Sequence, residues 1–221
     1  MRGIQYLKEA GLEFQINTTV TKHNIDMLEG IHKLAYDLGA VAFDPFLLVP
    51  VGRGKNIIEQ EISPRQYEEL LNWLYDQKKK VPLHIKVTCG PHYYRVIRQR
   101  TKEEGVKLSY ETHGLEAVTK GCMGGQSFAF ISHIGEVQIC GYLEVKCGDV
   151  REQSFKDIWF NSEVFKQMRN IDDYKGRCGY CEYRSFCGGC RARAYEVLGD
   201  YLEEEPFCIY QPKAKPKTEK V

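Results

Sequence analysis

No stretch of the 221 residues stays apolar for the 18 or so positions that a membrane-spanning helix needs. No basic-then-apolar leader opens the chain either, so the expected setting is the cytoplasm, with no membrane partner. An excess of one charge is also missing. Lys and Arg number 31 against 30 Asp and Glu, a net charge of +1, which leaves no bulk electrostatic reason to expect nucleic acid. Hydrophobic residues at 43% and charged residues at 28% exclude a disordered chain. Gly52-Arg53-Gly54 is not a phosphate-binding loop, because no Lys-Ser/Thr follows it in register. Finally, residues 1–88 contain no cysteine at all.

Nine cysteines follow that empty stretch: Cys89, Cys122, Cys140, Cys147, Cys178, Cys181, Cys187, Cys190 and Cys208. Such partitioning predicts two parts with different tasks. In a chain without an export signal it points to metal ligation or redox work, not to disulfides.

The first part alternates helix and strand signals. A helix end over 3–10 stops at Gly11, and 12–19 alternates apolar and polar residues as a strand does. Asn24 is positioned to cap a helix carrying Ile25, Leu28, Ile31, Ala35 and Leu38 on one face. Residues 41–51 form an apolar strand interrupted by Pro45 and Pro50. Ser63-Pro64-Arg65-Gln66 is a capping box with proline at the first helical position, followed by the stripe Tyr67, Leu70, Leu71 and Leu74. A further strand spans 84–89. This order predicts a parallel sheet with helices outside it, in about three β/α units, fewer than a closed barrel needs. Trp73 and Trp159 are expected in the core. The Pro- and Lys-rich segment 212–221 is expected to be a disordered, solvated tail.

In the second part, 128–132 and 136–140 alternate as the two arms of a hairpin around His133-Ile134-Gly135. A hairpin returns its second strand to within about 5 Å of its first, which draws Cys122 toward Cys140. Cys178-x2-Cys181 and Cys187-x2-Cys190 are two pairs separated by five residues, and a turn between them can bring four thiolates into one small volume. Structural zinc uses such pairs, but ribbons space them by about 15–20 residues. Iron–sulfur clusters take four cysteines each and accept short, glycine-rich spacings, which favours them here. Cys89 and Cys147 fit ligation or burial as small apolar residues equally well.

The pattern Cys122-x12-Gly135-x4-Cys140, then Cys178-x2-Cys181-x5-Cys187-x2-Cys190, then Cys208 resembles the seven-cysteine SPASM domain of radical SAM enzymes. The Cys187–Cys190 spacing is one residue shorter than is usual there. Leu48-Val-Pro-Val-Gly-Arg-Gly54, Thr88-Cys-Gly-Pro-His-Tyr-Tyr-Arg95, Gly188-Gly-Cys-Arg-Ala-Arg-Ala-Tyr195 and Gly199-Asp-Tyr-Leu-Glu-Glu-Glu-Pro-Phe-Cys208 narrow the likeness. They resemble radical SAM enzymes of the siroheme-dependent heme and heme d1 pathways, and within these the heme b synthases. The resemblance implies an α/β fold, an incomplete radical SAM (β/α) partial barrel over 1–100. A linker over 101–120 would follow, then a cysteine-rich α+β SPASM domain with a β-hairpin over 121–211.

The resemblance further implies one or two auxiliary [4Fe–4S] clusters. By position, Cys178, Cys181, Cys187 and Cys208 would hold one, and Cys122, Cys140 and Cys190 would contribute to another, with Cys147 or Cys89 as its fourth ligand. A single cluster drawing on some of the seven is the alternative. S-adenosylmethionine would meet Asn17, Thr19, Gly52 and Gly54, for which sheet hydrogen bonding or a plain turn is the simpler account. His92, Arg95 and Arg98 would meet an iron-coproporphyrin III substrate, with Arg100, Arg191 and Arg193 as further partners for its propionates. Solvated surface arginines and an aromatic edge are the simpler account of that group. A 5′-deoxyadenosyl radical would abstract a propionate hydrogen, releasing carbon dioxide and leaving a vinyl group, with an auxiliary cluster accepting the remaining electron. The Cys-x3-Cys-x2-Cys motif that holds the catalytic cluster in such enzymes does not occur in 1–221. The expectation is therefore a fragment, a mis-started frame or a split subunit, completed by a separate N-terminal radical SAM polypeptide and supplied by a ferredoxin or flavodoxin. The rival class is a non-catalytic zinc or iron–sulfur module serving another protein in electron transfer.

Overall fold

The computed structural model describes residues 1–213, so most of the expected tail lies outside the described residues. The chain opens with helix α1 (Arg2–Glu9), strand β1 (Gln15–Val20), helix α2 (Leu28–Asp37) and strand β2 (Ala42–Leu47). Helix α3 (Pro64–Lys80), strand β3 (His84–Ile85) and helix α4 (Tyr93–Glu103) follow. The three strands form one parallel sheet in the order β1-β2-β3, with Gln15 opposite Ala42 and Phe43 opposite Ile85. Helices between consecutive parallel strands are what that topology requires. β2, in the middle, is almost wholly buried, whereas β1 alternates. Pro45 lies inside β2, where its carbonyl still accepts from the Thr88 amide at 3.2 Å.

α3 begins as its sequence requires. The Ser63 hydroxyl accepts from the Gln66 amide, and the Gln66 side chain accepts from the Ser63 amide. Tyr67, Leu70, Leu71 and Leu74 are buried against Val20, Phe43, Leu47, Ile85 and Ile97, the first core. Asn24 does not cap the next helix. It accepts instead from the Thr21 amide and donates to the Thr19 carbonyl, and a 3-10 turn (Ile25–Met27) precedes α2.

α4 runs to Glu103, through the expected boundary at 100, and the expected linker holds short helices α5 (Tyr110–His113) and α6 (Leu115–Val118). Strands β4 (Phe130–Ile131) and β5 (Glu136–Gln138) pair antiparallel as the arms of a hairpin, joined by β6 (Gly148–Asp149). Helices α7 (Phe155–Asn161), α8 (Glu163–Arg169), α9 (Gly176–Tyr180) and α10 (Arg191–Leu198) complete the second half. Its core gathers Val137, Ile139, Leu143, Ile158, Phe165 and Met168, with Trp159 packed against it. Trp73 packs against the first core.

The two halves are joined by buried polar bonds as well as apolar contact. Arg193, fully buried on α10, donates to the carbonyls of Leu48 at 2.9 Å and Cys89 at 3.4 Å in the other half. Phe46 meets Tyr142 edge to face at 5.4 Å.

Candidate iron–sulfur sites

Eight of the nine cysteines divide into two sets of four, each walling one cavity. Cys178, Cys181, Cys187 and Cys208 line the first, with His92, Arg95, Arg177, Glu204 and Glu205 beside them. Cys89, Cys122, Cys140 and Cys190 line the second. Cys147 lies on neither wall. Its thiol is 3.5 Å from the Val145 carbonyl and packs into the second core.

Local backbone explains how four thiols converge on the first cavity. Gly188 and Gly189 have φ of 71° and 65°, a turn that places Cys187 and Cys190 on different walls. A Cβ at Gly189 would stand 2.4 Å from Arg191 Nη2 and 2.8 Å from Glu205 Cβ, so the Cys-Gly-Gly-Cys sequence is a steric requirement. Cys122 reaches the second cavity because the hairpin returns Ile139-Cys140 beside Gly121–Gly124, which line the same wall.

The donor chemistry suits a sulfur-rich anionic group. The Glu205 amide and the Tyr183 amide lie 3.4 Å from Cys178 Sγ and Cys181 Sγ respectively, and Arg191 Nη2 lies 3.5 Å from Cys178 Sγ. Arg177 forks onto Glu204 at 2.9 Å and donates to the Cys208 carbonyl at 2.7 Å. Among the described residues, no three His, Cys, Asp or Glu side chains converge closely enough to hold a single metal ion.

Burial keeps most of these thiols protonated in the metal-free chain. It pushes Cys208 up to about 11 and Cys140 up to about 12, raises Cys122 and Cys181, and holds Cys187 well above the ordinary value. Cys190 goes the other way, to about 7, through a hydrogen bond with Cys89 and the charge of Arg193. Groups raised on folding contribute stability below their unfolded value and lose it as pH rises through the folded one. The metal-free, reduced chain is therefore expected to lose stability between pH 9.0 and about 12. Denaturant titrations at pH 8 and pH 10 check this, and equal or greater stability at the higher pH would contradict it.

His92 is 1% exposed on the wall of the first cavity. Its Nδ1 lies 3.1 Å from Tyr67 Oη, which donates to the Cys89 carbonyl at 2.9 Å. With the hydroxyl hydrogen so placed, Nδ1–H donates to Tyr67 and Nε2 carries a bare lone pair. Nε2 has no partner among the described residues. Burial and the charges of Arg95, Arg193 and Arg191 hold the ring well below its usual value, hence neutral.

The arginines expected to meet propionates are placed very differently. Arg95 is 2% exposed and forks onto Glu68, with Gln99 as a further acceptor. Arg100 pairs with Asp76 at 2.6 Å, and Arg193 with Glu205 at 3.5 Å, both members of the latter pair fully buried. Arg191 is held by the Tyr201 and Glu203 carbonyls. Arg98 differs. It donates to the Tyr94 and Ala117 carbonyls, stacks on Phe186 at 3.7 Å, and has no carboxylate partner among the described residues. Asn17 and Thr19 share the exposed face of β1, where Asn17 Oδ1 accepts from the Gln15 side-chain Nε2 at 2.8 Å. Gly52 and Gly54 open the 3-10 segment after β2. Glu205, which holds the Cys190 amide at 2.6 Å and pairs with Arg193, was not singled out in the sequence. A lone glutamate in Glu203-Glu-Glu205 carries no pattern that could mark it.

Residues 122–191 match the SPASM family, an iron-sulfur cluster-binding domain. The chain is 52% identical over 220 residues to the AdoMet-dependent heme synthase of Oleidesulfovibrio alaskensis, covering 100% of this chain and 57% of that protein. It is 55% identical over 213 residues to the AdoMet-dependent heme synthase of Nitratidesulfovibrio vulgaris, covering 96% and 58%. The chain thus spans less than two thirds of the length of these relatives. Among solved structures it resembles Streptococcus suis SuiB bound to S-adenosylmethionine, with a TM-score of 0.62 and 15% identity over 95% of this chain and 48% of that one. That likeness concerns the fold.

Proposed function

We propose, from a SPASM-domain chain similar along its whole length to AdoMet-dependent heme synthases, that it serves the oxidative decarboxylation of propionate side chains on iron-coproporphyrin III. The observation that carries this reading is the pair of four-cysteine cavities in a chain of that similarity. Bound [4Fe–4S] clusters supply a one-electron acceptor, the chemistry that each decarboxylation leaves outstanding. Cys178, Cys181, Cys187 and Cys208 would hold one and Cys122, Cys140 and Cys190 contribute to the other.

The chain's own groups tune and protect that acceptor. The Glu205, Tyr183 and Arg191 N–H groups near sulfur stabilise negative charge there, since hydrogen bonds to cluster sulfurs help set reduction potential. Arg95, buried and paired with Glu68, and Arg177, half-buried and paired with Glu204, place guanidinium groups on the wall of the first cavity. S-adenosylmethionine is assigned to Asn17, Thr19, Gly52 and Gly54 in the complete system, together with a separate radical SAM polypeptide and a ferredoxin or flavodoxin donor. Among the described residues no helix is long and apolar enough to cross a membrane, and the reading places the reaction in the cytoplasm.

Of His92, Arg95 and Arg98, His92 is neutral and Arg95 is paired with Glu68. Arg98 is the guanidinium with charge to spare for a propionate, and Arg forks bind carboxylates bidentately. Replacing Arg98 with Ala is expected to weaken iron-coproporphyrin III binding about tenfold or more, from a charge-assisted bond of about 1.5–3 kcal/mol. An absorbance titration reads this, and unchanged affinity would remove Arg98 from the site. Failure of the unaltered chain to bind iron-coproporphyrin III would remove the substrate.

A further inference from the structure

We propose that Cys89 is the fourth thiolate of the second cluster site, completing Cys122, Cys140 and Cys190 and making that site a joint product of both halves of the chain. This rests on the iron–sulfur reading above.

Three observations carry it. First, Cys89 shares the cavity wall with the other three cysteines, although it comes from the end of the parallel sheet, outside the matched SPASM residues. Its carbonyl accepts from Arg193, three residues beyond Cys190, so the two backbones that carry these cysteines are tied together.

Second, the backbone is shaped to deliver this side chain. Cys89 is the non-glycine residue with positive φ among the described residues, at 57°. Such a conformation costs on the order of 1–3 kcal/mol and persists only where the surroundings hold it. Here Tyr67 and Arg193 both donate to its carbonyl, and the Leu47 amide holds Thr88 just before it. Gly90 follows in a space where a Cβ would stand 2.5 Å from Val87 Cγ1. Beyond β3 the chain stays beside β2 as far as the Thr88 bridge, and the left-handed turn at Cys89 then leaves the sheet, with the residue on the cavity wall.

Third, the competing residue has other business. Cys147 gives its S–H to the Val145 carbonyl and its amide to Val137, inside the second core.

Four protein thiolates leave no iron of that cluster open. The second site is thereby an electron-transfer site, and substrate does not bind there through iron.

The test is anaerobic reconstitution of the full chain and of Cys89→Ala, Cys89→Ser and Cys147→Ala. Iron, sulfide and zinc are counted, and electron paramagnetic resonance is recorded after ferricyanide oxidation. The unaltered chain should hold about eight iron and about eight sulfide, from two four-iron clusters. Cys89→Ala should gain a three-iron signal from about half of its clusters, because one iron there has lost its protein ligand. Cys147→Ala should match the unaltered chain. Cys89→Ser guards against misfolding: it should retain the first cluster and circular dichroism while the spectrum of the second changes. Spectra and iron content unaltered in a folded Cys89 variant, or the three-iron signal arising in Cys147→Ala, would overturn the proposal. Tightly bound zinc without sulfide in the unaltered chain would overturn the iron–sulfur reading itself, before any variant is compared.

Discussion

Replacing Arg193 with Met is expected to remove about 3–5 kcal/mol of folding stability, the range for breaking a buried ion pair by deleting one partner. Arg193 and Glu205 are both fully buried and 3.5 Å apart. Methionine would fill the volume between Tyr67 and Phe207, over whose rings the guanidinium now lies at 5.4 and 5.1 Å. It would leave the Glu205 carboxylate without its counterion and the Leu48 carbonyl without its Arg193 donor, with Tyr67 alone left on the Cys89 carbonyl. Adding Glu205→Gln removes the stranded charge while keeping an acceptor for the Cys190 amide, so the double variant should recover part of the loss. Denaturant unfolding of the metal-free proteins reads both. A loss under about 1 kcal/mol for the single variant would show that solvent reaches Glu205 and that the pair is not the junction described.

The second large effect is an absence of product. The reconstituted 221-residue chain, reduced and given S-adenosylmethionine, is expected to release no 5′-deoxyadenosine. Reductive cleavage needs an iron with a free position for the methionyl amine and carboxylate, which a cluster held by three cysteines provides. Both cavities here are walled by four, and no Cys-x3-Cys-x2-Cys run offers a third site. Chromatographic detection of 5′-deoxyadenosine above the level of a protein-free control would refute this. It would also point to one of the eight wall cysteines as a non-ligand.

Local chemistry made much of this legible from the residues. The Ser63–Gln66 capping box, the hairpin around Gly135 and the end of α10 at Gly199 (φ 77°) each depend on a few neighbouring residues, and each is present in the structure. The strand expected over 84–89 is shorter than its pattern. Pairing is regular over His84–Ile85 and then reduced to a single bridge, Phe46 to Thr88, because Pro45 in β2 has no N–H to give to the intervening stretch; beyond the bridge the chain turns at Cys89. Spacing alone pointed to Cys178, Cys181, Cys187 and Cys190 around one volume, whereas the structure puts Cys190 on the other wall and Cys208 in its place, the grouping that the SPASM resemblance implies. Beside Cys122, Cys140 and Cys190 the sequence offered both Cys89 and Cys147, and only tertiary packing separates those two. The arginines were hardest. Arg98 and Arg95 lie one helical turn apart on α4 and look alike in sequence. Which of them is used internally depends on Glu68, contributed by α3.

The junction at Cys89 and Arg193 also bears on how the protein comes to be assembled. The first set of cysteines closes loops wholly inside residues 178–208, so no docking of the sheet is needed to bring those four residues together. The second ties residue 89 to residue 190, so it closes only when the sheet and α10 have docked. The added entropy is modest, because each doubling of loop length costs only about 0.6 kcal/mol. The time required is not, since non-local contacts form late. The two sites thus differ in when they become available. On the proposed ligand sets, a chain stalled before docking would present one finished cysteine pocket and one half-built, and the iron it took up would record how far folding had gone.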